Sequence, residues 1–328
     1  MNHLGRAARL AALFVSLVST GAARASEAAL TPEKPIVIPG VAARYDYMNV
    51  DDSKRRLLAA HTGAGALVVV DLLKNRVIAS VPVGKIQGII VDAANDQYVA
   101  GISKEQKVVF IDRKTLRPMG ETALTGPVDD LELDPKTGMI YADHDDGTDV
   151  WVIDAKTKKL VGSVPIPEAP EYVLYDAVTD RLYQNIKSND TLQVIDPSTN
   201  KVEAVWPTAP ANGPHGLAVD GAAGRVYSAG NNGKLVVFDI KTGKVIGSVD
   251  IAPGTDQIAY DPEWKRVYCA SKGFVSVVQA TADGAELVAN VPSPAGVHTI
   301  AVDPSTHSVW VCYADTAHSY VQQFKARK

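Results

Sequence analysis

Residues 217–249 read LAVDGAAGRVYSAGNNGKLVVFDIKTGKVIGSV, and the order of features in this stretch decides how the chain is organised. A short apolar run ends at Asp220, a turn of small residues follows, and Arg225-Val-Tyr227 opens a second run. After a polar loop a third run, Leu235 to Phe238, ends at Asp239. Lys241-Thr-Gly243 then reverses the chain into a fourth, Lys244 to Val249. Short runs rich in Val, Ile and Tyr, separated by turn formers, predict four antiparallel strands.

Outward from this stretch the pattern repeats in both directions. The first Asp recurs at Asp51, Asp92, Asp134, Asp176, Asp220, Asp261 and Asp303, at gaps of 41 to 44 residues. A second follows 19 or 20 residues later at Asp71, Asp112, Asp154, Asp196 and Asp239. A repeat of this period, each unit four strands, predicts an all-β fold: a seven-bladed β-propeller of four-stranded antiparallel blades, which protects its strand edges by closing the ring. The last unit stops after three strands at Gln322-Gln-Phe324, and Pro35-Ile-Val-Ile-Pro39 reads as the missing fourth. The N-terminal strand is therefore expected to complete blade seven. The Asp series is read as structural, since Asp accepts hydrogen bonds from turn backbone. Gln279, standing where blade six should carry its second Asp, is expected to alter a turn and not the fold.

The segments Val150-Trp-Val-Ile-Asp154, Leu192-Gln-Val-Ile-Asp196 and Val77-Ile-Ala-Ser-Val-Pro-Val83 resemble the YVTN-repeat β-propeller family of exported bacterial proteins. The resemblance covers essentially the whole chain after its N-terminus. It implies the fold and is nearly silent on activity.

Residues 1–25 read as a signal peptide: Arg6 and Arg9, an apolar run from Leu10 to Thr20, then Ala23-Arg24-Ala25 as the cleavage site. Cleavage near Ala25 leaves residues 26–328 as a single propeller domain, periplasmic or secreted. Without Arg6, Arg9 and Arg24 the chain keeps 30 basic against 37 acidic side chains. That mild acidity argues against nucleic acid as a partner, and no later stretch is apolar enough for membrane insertion. A monomer is expected. Cys269 and Cys312 make no disulfide framework; on neighbouring blades they are expected to be two buried thiols.

Function must be read from the channel mouth, because one fold carries many activities. Five residues before each first Asp stand Asp46, Gln87, Asp129, Glu171, His215, Asp256 and His298. All seven are polar and should ring one mouth of the channel, where polarity is also what a wet opening requires. His215, Asp256 and His298, on consecutive blades, are candidate ligands for a divalent metal, although no cofactor is required. His61, His144, Lys187, Asn231, Asn232, Lys272, Tyr313, Asp315 and His318 are placed on the same face. Asp143-His-Asp-Asp-Gly-Thr-Asp149 resembles a calcium loop only loosely, because Gly147 stands at the fifth position where the sixth is needed and the twelfth is Asp154, not Glu, and it reads better as a solvated acidic loop. No catalytic triad, phosphate loop or haem-attachment motif occurs. The expected function is an exported binding scaffold using this acidic, His-rich face for a partner protein, a metal or a small polar ligand. The alternative is a metal-dependent lactonase- or lyase-type enzyme at the same mouth, as on similar propellers. An accessory role beside a periplasmic redox enzyme is a third implication of the resemblance.

Overall fold

The computed structural model describes Met1 and residues 29–328, so the expected signal peptide lies outside the described residues. Seven antiparallel blades form the ring. In blade five the strands are Pro214–Asp220, Arg225–Gly230, Lys234–Asp239 and Lys244–Asp250, as the opening stretch predicts. The first strands line the channel; each packs against the next, and Thr299–Asp303 of blade seven meets Met48–Asp51 of blade one. Among the described residues no helix is long and apolar enough to cross a membrane.

Blade seven closes as the sequence requires. Ile36–Ile38 pairs antiparallel with Ser319–Ala326, in the register Ile36 to Val321. The closing strand also reaches further back than expected, since Leu30–Pro32 pairs with the far end of the same partner. Pro35, which has no N–H to give, falls in the break between the two segments.

The repeat Asp residues have the backbone role assigned to them. All seven first Asp carboxylates accept from turn N–H groups two or three residues on, for example Asp134 from Lys136 at 2.8 Å and Asp303 from Ser305 at 3.1 Å. The five second Asp residues do the same, Asp154 from Thr157 at 2.7 Å. Gln279 in blade six makes no such cap. There the strands run on to Thr281 and Gly284, paired across a two-residue turn.

The core lies between blades. The second-strand tyrosines Tyr98, Tyr141, Tyr183, Tyr227 and Tyr268 are fully buried there, large apolar bodies filling the wedge between adjacent sheets. Cys269 and Cys312 are buried free thiols, and burial pushes both well above the usual thiol range.

Candidate functional site

The ring of polar residues is placed by β-bulges. In blades two to six the pairing of first and second strand slips at the position five before the repeat Asp, as between Pro170 and Tyr172, Pro214 and Gly216, and Thr255 and Ile258. A bulge re-aims the side chain at the extra residue. Gln87, Asp129, Glu171, His215 and Asp256 all sit at these slips, whereas Asp46 and His298 lie just before their first strands begin.

The mouth is acidic and tightly wired. Gln87 Nε2 donates to Asp129 Oδ1 at 2.8 Å, and Arg44 reaches Asp46 at 2.9 Å. Lys187 bonds Glu171 at 2.9 Å and lies 3.4 Å from Asp145. Burial pushes the Asp46 carboxyl up to about 7, with Arg44 opposing it. Burial, and then the Glu171 charge, holds Asp129 well above the usual carboxylate range. Glu171 is raised by burial against the pull of His215 and Lys187. Burial pulls the Lys187 ammonium down, but Glu171 and then Asp145 outweigh it and hold the proton on.

His215, Asp256, His298, Asn231 and Lys272 line one cleft of about 460 Å³ at this mouth, with Arg44 on its rim. The proposed metal triad is regrouped. Glu171, His215 and Asp256 bring one ligand atom each within 4.8 Å of one another. His298 stays apart, with Nδ1 and Nε2 both 2.9 Å from the carbonyl oxygens of Gly296 and Tyr45.

Three further candidates are held by contacts of their own. His61 is 2 % exposed, stacked on Tyr45 and bonded to Ser319 Oγ at 2.9 Å, so it packs the seam between blades one and seven. His144 stacks on Trp151, bonds Asp149 at 2.8 Å and is clamped between Gly126 and Gly147. Tyr313 stacks on Tyr320, whose hydroxyl bonds Asp315. His318 and Asn232 are exposed, and Asn232 is spent on the loop carbonyl of Pro210.

Two acids behind the mouth are buried, although the sequence reading puts one of them, Asp143, at the start of a solvated loop. Asp130, beside the ring residue Asp129, turns inward and accepts from the Val173 N–H at 3.1 Å. Asp143 is fully buried: its Oδ2 accepts from Gln184 Nε2 at 3.1 Å and its Oδ1 has no partner. Burial pushes Asp143 up to about 8. A carboxylate inside a run of strand residues, as in Val128-Asp-Asp-Leu131 and Met139-Ile-Tyr-Ala-Asp143, is the signal that marks them. Beyond the mouth the channel is more mixed: Leu174, Leu217, Val219, Ile258, Ile300 and Val302 line a cavity of about 450 Å³ together with Asn49 and Tyr260, and Glu132 is half-buried beside it.

No family model matches the chain, and no curated protein matches it. Solved structures do. The chain is similar to Kuenenia stuttgartiensis hydrazine synthase, at 13 % identity and a TM-score of 0.76 over 87 % of this chain and 96 % of that one. It is also similar to the WD40 repeats of RRP9, at 10 % identity and a TM-score of 0.77, covering 90 % of this chain and all of that one. A third likeness is to U3-55K, at 10 % identity and a TM-score of 0.76 over 88 % and 97 % of the two chains. At these identities the likeness is of fold: the chain is a seven-bladed propeller.

Proposed function

We propose that this chain is an exported, noncatalytic binding propeller whose acidic channel mouth receives a cationic or polar group of a small ligand or partner segment. One observation carries the reading: bulges in five blades turn polar side chains, four of them carboxylates or imidazole, to one mouth and gather them beside a cleft. Complementary charge favours a positively charged visitor. Calorimetry with short Lys- and Arg-containing peptides and with polyamines tests it. Asp46→Asn with Glu171→Gln should weaken binding about tenfold or more, while Asp250→Asn on an outer strand should not. Binding that ignores the mouth variants, or no binding across the panel, would reject the reading.

A second reading is a metal-assisted hydrolase or lyase, favoured by an imidazole and two carboxylates converging beside a cleft of small-substrate size. Turnover of lactones in the presence of divalent ions, abolished by His215→Ala, would establish it. No turnover with any ion would dismiss it.

A further inference from the structure

Blades four, five and six each deliver one donor to a single point at the mouth. Glu171, His215 and Asp256 occupy the same place in their repeats and sit at bulges that turn them inward. Their nearest donor atoms all lie within 4.8 Å. Two donors bound to one ion at about 2.1 Å each stand roughly 3 to 4.2 Å apart. Donors in tetrahedral array stand about 3.4 Å apart, so a closing of about 1.4 Å at most, shared between half-buried side chains, brings the three onto one ion.

The groups around the donors orient them for this task. His215 Nδ1 is 2.7 Å from the Gly213 carbonyl oxygen and donates to it, which leaves the lone pair on Nε2. Nε2 lies 4.0 Å from Glu171 Oε1, too far for a hydrogen bond but within the span of two ligands sharing an ion. Metal-bound imidazoles are held this way, the second nitrogen donating to a carbonyl or carboxylate. Lys187 takes the other oxygen of Glu171, Oε2, at 2.9 Å, so Oε1 faces His215. Its charge is shared with Asp145, which keeps the neighbourhood acidic. The cleft beside His215 and Asp256 leaves room for water or a ligand on the open side of the ion.

We infer that Glu171, His215 and Asp256 bind one divalent first-row transition ion of the Zn²⁺ or Mn²⁺ class. One imidazole with two carboxylates suits that class, whereas Ca²⁺ asks for six or more oxygens. The inference rests on the mouth being the binding end of the protein, and it replaces His298 by Glu171 in the ligand set suggested by sequence.

The test is calorimetry of untagged, chelator-dialysed protein with ZnCl₂ and with MnCl₂. One ion per chain is expected, with affinity reduced at least tenfold in His215→Ala and in Glu171→Gln and unchanged in His298→Ala. Asp256→Asn keeps the shape of the side chain, should also lose binding, and guards against an alanine variant that fails to fold. No binding by the wild type, binding that survives His215→Ala, or equal loss in His298→Ala would each overturn the site. If no ion binds while cationic peptides still bind in an Asp46-dependent way, the ion is rejected and the acidic mouth stands as the binding end.

Discussion

At the scale of single residues, two kinds of buried aspartate behave oppositely. The repeat Asp residues spend their carboxylates on turn N–H groups, whereas Asp143 is wrapped in the blade with one oxygen unpartnered. In the folded protein Asp143 titrates near 8, in the unfolded chain near the ordinary value of about 3.9. The folded state therefore keeps a proton that the unfolded chain has released. Its contribution to stability is full below about pH 4 and is lost as pH rises through 8. Asp143→Asn, which mimics the protonated form, is expected to raise stability at pH 9 by on the order of 2 kcal/mol and to change little near pH 4. Thermal melts of both proteins from pH 4 to 9 check this; parallel curves would contradict it. The sequence showed this residue only as part of an acidic loop, because burial depends on the neighbouring blade, which supplies Gln184.

At the scale of strands, what the sequence displays and what it hides have separate causes. Strand order, turn positions and the closing N-terminal strand were legible because Asp51, Asp92 and their equivalents act on backbone within three residues of themselves. Which mouth residues meet was not legible, because the bulges that aim them leave no motif of their own. Gly216 shows the constraint. A Cβ there would stand 2.8 Å from Ile258 Cγ2, 2.9 Å from Ile258 N and 3.1 Å from Asp256 O, two of them backbone atoms of the next blade. Asn185 of blade four meanwhile ties down the carbonyls of His215 and Gly216. Gly216→Ala must push blades five and six apart at the bulge, at a cost of about 1–3 kcal/mol. It should also separate His215 from Asp256 and weaken ion binding, although neither ligand is changed. A melt and a Zn²⁺ titration of the one variant measure both effects; an unaltered melting temperature would show that the blades slide freely here.

At the scale of the whole molecule, the ring stands or falls on the seams between blades. Most seams are reinforced at the repeat Asp by the following blade. Arg113 of blade two grips Asp51 at 2.7–2.8 Å, Tyr260 of blade six bonds Asp220, and His307 of blade seven bonds Asp261 at 2.7 Å. The last seam follows the same rule: Arg55 of blade one holds both oxygens of Asp303, at 2.8 and 2.5 Å. This seam joins the two ends of the chain and has no covalent connection of its own beyond the closing strand. Burial works against an ionised Asp303, and the Arg55 hydrogen bonds outweigh it, so the carboxyl lies below its usual range. A depressed carboxyl lends stability above its unfolded value of about 3.9 and withdraws it as pH falls through the folded value. Arg55→Ala removes the cation from Asp303, which keeps its bonds from the Ser305 N–H and the Thr306 hydroxyl; the partly solvated pair makes the expected loss at neutral pH about 1–2 kcal/mol. As pH drops below about 4 the wild type loses the same contribution, so the difference between the two should shrink. Melting curves at pH 7 and pH 3 provide the measurement. A difference that is equal at both would mean that Arg55 serves by packing, and that its ion pair adds nothing to ring closure.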